Sequence, residues 1–209
     1  MGSEMCIRDR LDIDGLPVLV DSGTFLYYSG GSRRTALRES LAHNTLCVAG
    51  ASQSVAAPGF GWLSRANCVL SEERPGPVWS VAGRHDGYQG RFGVLHERRV
   101  RRVADGFELE DRLDGATSPL AVEIRFLLNP TLRLAESDGA IVALAGDVPL
   151  CRFRGPAGFN AAVLTGSAAP QISTGFGLLA RGLGIVFSGW LAEQSVSTRM
   201  DLIAQAAPR

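Results

Sequence analysis

The stretch VLVDSGT at residues 18–24 decides the fold expected of this chain, because an apolar run ends there in an acid and a tight Ser-Gly step. About twenty residues later, AHNT at residues 42–45 puts a histidine in front of a second apolar run, Leu46-Cys47-Val48. Short apolar runs bounded by turn residues are typical of strands. The two stretches therefore predict an acid, Asp21, and an imidazole, His43, at the edges of two strands.

The rest of the chain has the pattern of a β scaffold. In residues 120–128, apolar and polar side chains alternate, and this period of two over nine residues indicates a half-buried strand. Asp14-Gly15 and Asp138-Gly139 stand between apolar runs and predict hairpin turns. Residues 33–41 are the best helical candidate. The sequence predicts an all-β fold, an antiparallel multi-stranded β-sandwich of stacked sheets with at most one or two short helices.

Length and composition limit the classes of function. The 209 residues are 45% hydrophobic and carry no net charge, so a core is expected and a general attraction to nucleic acid is not. No apolar run is long enough to span a membrane.

Residues 1–10 are polar and aperiodic, so we interpret them as a foreign or disordered leader and residues 11–209 as one domain. Cysteines 47, 68 and 151 sit in apolar surroundings and are expected to be small buried residues.

Asp21 and His43 are the first candidates for chemistry. A carboxylate and an imidazole are ordinary zinc ligands, and an open zinc site usually has three protein ligands. An acid–base pair is a second possibility. A third is purely structural, with Asp21 capping the Ser22-Gly23 turn and His43 acting as a hydrogen-bonded edge residue.

The other two histidines and an arginine cluster have weaker signals. His85 is expected in a solvated loop, with a binding rim shared with Asp86 and Tyr88 as the alternative, and His96 is expected to be a packed or cross-strand polar residue. The arginines of residues 98–102 alternate on a strand and are expected to form a solvated face paired with Glu108 and Glu110. No phosphate-binding glycine loop, GxSxG or HExxH is present.

Several of these stretches resemble a known family, the heparinase II/III-like polysaccharide lyases. DGLPVLVDSGT at residues 14–24 and RESLAHNT at residues 38–45 are similar to two of its motifs. GRHDGY at 83–88, VLHERRV at 94–100 and ELEDRL at 108–113 also resemble bacterial members. The pairing of Asp-Ser-Gly-Thr with His-Asn-Thr is the more specific signal.

The resemblance implies a fold and a set of roles. Family members join an N-terminal α/α toroid to stacked antiparallel sheets, and this chain resembles only the second part. Asp21 and His43 would be two zinc ligands of a site that is incomplete here, since the His-rich segment expected before residue 11 is replaced by residues 1–10. Tyr28 and Arg38 would face the substrate. No catalytic residue can be assigned, because the family's catalytic groups lie in the missing parts.

Three hypotheses follow. The first is the C-terminal domain of a lyase that acts by β-elimination on uronic-acid polysaccharide such as heparan sulfate or alginate, inactive alone without its toroid partner, and periplasmic or in the cell envelope by family resemblance. The second is a non-catalytic carbohydrate-binding or structural module. The third is a complete metal enzyme in which His85 or His96 supplies the third ligand. A separation below about 4 Å between Asp21 and His43 would favour a shared site.

Overall fold

The computed structural model describes residues 10–191 and 195–203, so most of the expected leader lies outside the described residues. The strands and helices are, in chain order, β1 (Leu11–Ile13), β2 (Leu16–Leu19), α1 (Gly31–Arg38), β3 (Leu46–Val48), β4 (Val55–Ala56), β5 (Trp62–Ser64), β6 (Cys68–Arg74), β7 (Ser80–His85), α2 (Gln89–Phe92), β8 (Leu95–Val103), β9 (Gly106–Asp114), β10 (Leu120–Leu128), β11 (Arg133–Ser137), β12 (Ala140–Ala145), β13 (Val148–Arg154), β14 (Asn160–Leu164), β15 (Gln171–Gly175), β16 (Leu178–Arg181), β17 (Leu183–Leu191) and β18 (Ser195–Leu202).

Two antiparallel sheets make up the body of the protein. The smaller has six strands in the order β1-β2-β10-β17-β14, with β3 also paired to β10. The larger has eight strands in the order β11-β12-β13-β18-β9-β8-β7-β6. Two short hairpins, β4-β5 and β15-β16, stand beside them. The predicted all-β sandwich with two short helices is confirmed.

The hydrophobic core lies between the two sheets. Val122, Ile124 and Phe126 of β10 are buried on one face, while Glu123 and Arg125 face the other way, as the alternation predicted. The ring of Phe126 lies 5.4 Å from that of Phe153 in β13, which joins the smaller sheet to the larger. Burying a side chain of this size stabilises the fold by about 1.5–3 kcal/mol.

The turns agree with the sequence predictions, and the main helix differs from its predicted bounds. Asp14 and Gly15 both have positive φ, 50° and 80°, as the type I′ turn between β1 and β2 requires. The helix occupies Gly31–Arg38 rather than residues 33–41, because Glu39 is extended and a short 3₁₀ turn, Ser40–Ala42, follows. The Ser40 N–H donates to Ser52 Oγ instead of continuing the helix. None of the described helices is long and apolar enough to cross a membrane.

Candidate functional site

Asp21 and His43 meet at one edge of the smaller sheet. Asp21 follows β2, and its Oδ2 lies 3.1 Å from His43 Nδ1. Ser22 Oγ is 3.4 Å from the same nitrogen and donates a hydrogen bond to the Leu37 carbonyl at the end of α1. His43 is almost fully buried, whereas Asp21 is about a quarter exposed. The sequence spacing therefore brings the acid and the imidazole into direct contact, with one side open to solvent.

The Asp-Ser-Gly turn fixes the position of the carboxylate. The Gly23 N–H donates to Asp21 Oδ1 at 2.8 Å, which closes an Asx turn. Gly23 has a φ of 72°, and a Cβ added there would lie 2.9 Å from Ser173 Cβ and from its carbonyl oxygen. Only glycine fits this conformation and this approach to β15. The structural interpretation of Asp21 as a turn cap therefore holds whatever else the carboxylate does.

Asn44 holds the histidine segment against the sheet, a role that the sequence did not reveal. Its Nδ2 donates to the Val20 carbonyl at 2.9 Å, and its Oδ1 accepts from the Leu127 N–H. One buried amide thus ties the end of β2 to β10, immediately beside Asp21 and His43. The Asn of the His-Asn-Thr motif fixes the distance between the two candidate ligands.

The pair fits part of a zinc site. Two atoms that each lie about 2 Å from a tetrahedral ion are roughly 3.3 Å apart. The observed 3.1 Å is near this value, and it also suits a direct hydrogen bond. Among the described residues, no three His, Cys, Asp or Glu side chains are grouped so that they could hold a metal. Asp21 and His43 would therefore supply two donors, a carboxylate oxygen and an imidazole nitrogen.

Tyr28 and Arg38, the residues expected to face substrate, have different environments. Tyr28 is 86% exposed, and its ring meets that of Phe60 edge-on, with centroids 5.0 Å apart. The Arg38 guanidinium donates to the carbonyls of Gly59 and Gly61 at 3.0 and 2.9 Å, and it stacks on the Trp62 ring. Arg38 thus fastens the loop of residues 57–61 to the end of α1, while Tyr28 projects outward.

His85 and His96 lie in the larger sheet, and the expectation of a solvated loop for His85 is wrong. His85 is the last residue of β7, is almost fully buried, and pairs across strands with His96 of β8. Its Nε2 is 3.0 Å from His96 Nδ1, and His96 Nε2 is 2.8 Å from Asp111 Oδ1. The Gly87 N–H donates to His85 Nδ1. Nδ1 of His85 is thus an acceptor, and the contacts form a chain of hydrogen bonds that runs from Gly87 through both histidines to Asp111.

Burial dominates the pKa of His85 in this hydrogen-bond chain, whereas charge and hydrogen bonds dominate that of Asp111. Desolvation, with the neighbouring His96 as the next cause, lowers the pKa of His85 to about 3. For Asp111, burial alone would raise the pKa, but the charge of Arg98 and the hydrogen bonds from His96 and Arg98 outweigh it, and the pKa lies well below its usual value. The two ring nitrogens of His96 point to different partners, so the chain does not converge on one point as metal ligands would.

Arg98 connects the histidine chain to the candidate site. Its Nε and one terminal nitrogen donate to the two oxygens of Asp111, each at 2.8 Å, and its other terminal nitrogen donates to the Asn44 carbonyl at 3.0 Å. The expected solvated face is therefore wrong for Arg98, which is buried. It is correct for Arg99 and Arg101, which pair with Glu110 and Glu108.

The buried cysteines are poor candidates for nucleophilic chemistry. Cys47 and Cys151 are buried free thiols, as expected, while Cys68 is only partly buried. Burial raises the pKa of both Cys47 and Cys151 to about 12. They are thus protonated at neutral pH, and the thiolate is the reactive form.

Comparison with known families identifies the domain. Residues 10–195 match the family described as heparinase II/III-like, C-terminal. This chain belongs to that family. The match includes Asp21, His43 and Asn44, as well as the buried group formed by His85, His96, Arg98 and Asp111. No match was found among curated proteins.

Solved structures share the fold of this heparinase II/III-like domain. A heparinase III structure with methylated lysines aligns over 95% of this chain with a TM-score of 0.74 and 18% identity. The heparan sulfate lyase HepC from Pedobacter heparinus aligns over 96%, with a TM-score of 0.74 and 14% identity. A further heparinase III structure has a TM-score of 0.65 over 91% of the chain at 18% identity. The chain spans only about 30% of the length of these structures.

Proposed function

We propose that this chain is the C-terminal domain of a polysaccharide lyase that cleaves uronic-acid polysaccharide by β-elimination, in the periplasm or cell envelope. The supporting observation is the contact between Asp21 and His43 at an open edge of the sandwich, in a domain of the heparinase II/III-like family. Two of the structures that share the fold are described as heparan sulfate lyases or heparinases. A heparan-like or alginate-like acidic chain is the proposed substrate.

The reaction sets requirements that this chain meets only in part. β-Elimination needs a base for the proton next to the carboxylate, an acid for the leaving oxygen, and stabilisation of the developing negative charge. We assign none of these roles to residues of this domain. In the proposal Asp21 and His43 are zinc donors, Asn44 fixes their spacing, and Tyr28 and Arg38 lie on the side that faces the polysaccharide. Zinc would supply a fixed positive charge that braces this edge against a helical partner domain.

Zinc binding is the direct test of the proposed site. Zinc that binds only the folded protein should raise its thermal unfolding midpoint, and a chelator should reverse the rise. The rise corresponds to about 0.4 kcal/mol when the zinc concentration equals Kd, and it grows as more zinc is added. In Asp21→Asn and His43→Gln the rise should disappear. Asp21→Asn removes the charged donor to zinc but keeps the turn, because an amide oxygen can still accept from the Gly23 N–H.

A control variant tests whether the zinc response comes from His43 rather than from another histidine. His85→Gln removes an imidazole in the larger sheet and should leave the zinc response unchanged. An equal response in native protein, Asp21→Asn and His43→Gln would overturn the metal proposal. The purified chain should also form no unsaturated product from heparan sulfate or alginate, measured by ultraviolet absorbance, and turnover would overturn its assignment as a dependent domain.

A second candidate function is a carbohydrate-binding module without catalysis. The observation that favours it is a group of exposed aromatic rings near Tyr28, since contiguous exposed apolar surface marks an interaction site. Glycan binding without any zinc response would favour this candidate.

A further inference from the structure

Four exposed aromatic side chains form a row beside the candidate site. Tyr27, Tyr28, Phe60 and Phe176, named here the aromatic shelf, are between 50% and 86% exposed. Consecutive rings are in contact, with centroids 5.0 Å apart for Tyr28 and Phe60 and 5.9 Å apart for the Tyr27 contacts with Phe60 and Phe176. A row of touching rings at the surface is rare in proteins without a binding role.

The backbone ties the shelf to the Asp21 turn. The Ser173 N–H donates to the Ser22 carbonyl at 2.7 Å, and the Phe25 N–H donates to Ser173 Oγ at 2.9 Å. The Gly177 N–H donates to the Phe25 carbonyl, which brings the turn of the β15–β16 hairpin, with Phe176, next to Tyr27. The shelf and the candidate site are therefore parts of one surface, separated by only a few residues of chain.

The loop of residues 57–61 is held so that Phe60 completes the row. Arg38 donates to two of its carbonyls, as described above, and the guanidinium of Arg34 lies over the Phe60 ring at 4.9 Å from the centroid. A cation over a ring face is an attractive arrangement. A cavity of about 210 Å³ opens beside the shelf between residues 24–27 and 173–176. The rings thus stand on a fixed support and border a recess.

The charge of the segments that carry the shelf indicates which kind of ligand it would bind. Residues 21–65 and 166–181, which carry the shelf, contain five arginines and two acidic residues, a net charge of +3 in a chain whose total is zero. In the described ranges no carboxylate lies within ion-pair distance of Arg33 or Arg34, whereas Arg98, Arg99, Arg101 and Arg199 of the larger sheet all pair with acids. The shelf therefore offers apolar rings together with the exposed guanidinium of Arg33, while Arg34 is buried against the Phe60 ring. A guanidinium forms strong hydrogen bonds with carboxylate and sulfate.

We propose that the aromatic shelf is a binding site for an acidic oligosaccharide, whose sugar rings lie on Tyr27, Tyr28, Phe60 and Phe176 while a carboxylate or sulfate meets Arg33. The C–H face of a sugar ring is apolar and carries partial positive charge, so it suits the negative face of an aromatic ring. The choice of a uronic-acid glycan rests on the proposed function. The site itself is distinct from Asp21 and His43.

Binding of a size-defined heparan sulfate oligosaccharide to the purified full chain tests this proposal. Calorimetry measures Kd, and the change in tryptophan fluorescence should persist in the Trp190→Ala protein, because Trp62 lies against Arg38 in the shelf support. Tyr27→Ala and Phe176→Ala should each weaken Kd by about threefold to tenfold. Arg33→Gln should weaken it and reduce its dependence on salt, because one charge contact is lost. A neutral oligosaccharide of the same length should bind more weakly than the acidic one.

Trp190→Ala is the matched control. Trp190 is also largely exposed, but it stands seven residues from Leu183 along β17, roughly 23 Å from the end of the strand near the β15–β16 hairpin. Its replacement should leave Kd unchanged, and circular dichroism should show all variants folded. Equal weakening by Trp190→Ala, or native affinity in both shelf variants, would overturn the proposal.

The outcome separates the shelf from the metal site. No glycan binding by a folded chain that still responds to zinc would overturn the shelf and leave the proposed function standing. Shelf-dependent glycan binding without a zinc response would support the shelf, overturn the metal proposal and favour the non-catalytic carbohydrate-binding module. If the shelf variants abolish self-association in sedimentation and leave glycan affinity native, the shelf is an interface between copies of this chain and the glycan proposal is wrong.

Discussion

At the scale of single residues, Gly23 is the position on which the candidate site depends most directly. Its φ of 72° and its approach to Ser173 exclude a side chain, and its N–H holds the Asp21 carboxylate. The first role of the tripeptide Asp-Ser-Gly in this fold is thus to form a turn. The position of Asp21 opposite His43 is a consequence of that turn.

Gly23→Ala should lower the free energy of unfolding by about 1–3 kcal/mol, because it combines a left-handed backbone with a close contact. Urea denaturation measures this loss. Gly139→Ala is the matched control, since Gly139 has nearly the same φ, 70°, but nothing within 4 Å of an added Cβ. The control should lose only the backbone part of the effect. Equal losses in the two variants would show that the contact with Ser173 has no energetic weight.

At the scale of elements, the pairing of β8 with β9 contains two kinds of ion pair. Arg98 and Asp111 face the core and are fully buried, whereas Arg101 and Glu108 face solvent on the same two strands. Removing one partner of a buried pair leaves an uncompensated charge, and removing one partner of an exposed pair does not. The two pairs therefore offer a comparison within one strand pairing.

Asp111→Asn should lower the free energy of unfolding by about 3–5 kcal/mol, because Arg98 stays buried without its carboxylate. Glu108→Gln, the control, should cost no more than about 1 kcal/mol. The double variant Arg98→Met with Asp111→Leu should be more stable than Asp111→Asn, since it leaves no buried charge. Thermal and urea unfolding measure all three, and similar losses for Asp111→Asn and Glu108→Gln would contradict this account.

At the scale of the whole molecule, the buried histidine makes stability depend on pH. In the unfolded chain His85 binds a proton below its usual pKa of 6.5, but in the folded protein it does so only near a pKa of about 3. Between these values the unfolded state holds more protons, so the free energy of unfolding falls as the pH falls, by about 1.4 kcal/mol per unit. Asp111 adds a loss below its ordinary pKa of 3.8, because its folded pKa is lower.

His85→Gln should reduce this slope by about one proton between pH 6 and pH 4, because glutamine does not titrate there. The comparison uses urea unfolding of native protein and variant across that range. His43 remains in both, so the difference reports His85. An unchanged slope would mean that His85 is already protonated in the folded protein.

The sequence by itself determined the β-sandwich and the hairpin turns at Asp14-Gly15 and Asp138-Gly139, and it marked Asp21 and His43 as residues at strand edges. These features depend on local chemistry, since period-two alternation selects the buried face and Asp-Gly selects the turn. It also contained an unused signal. Alternation puts His96, Arg98 and Asp111 on the inward faces of β8 and β9, so the solvated face predicted for the arginines of residues 98–102 can apply to only one side of the strand.

Only the tertiary structure decided what those polar residues do. Their burial depends on the smaller sheet covering the larger one, and the contact of Arg98 with Asn44 joins residues 54 positions apart. The aromatic shelf likewise needs three separate loops, which carry Tyr27 and Tyr28, Phe60, and Phe176. No local period encodes such contacts, because each is fixed by packing between distant segments rather than by the conformation of either one.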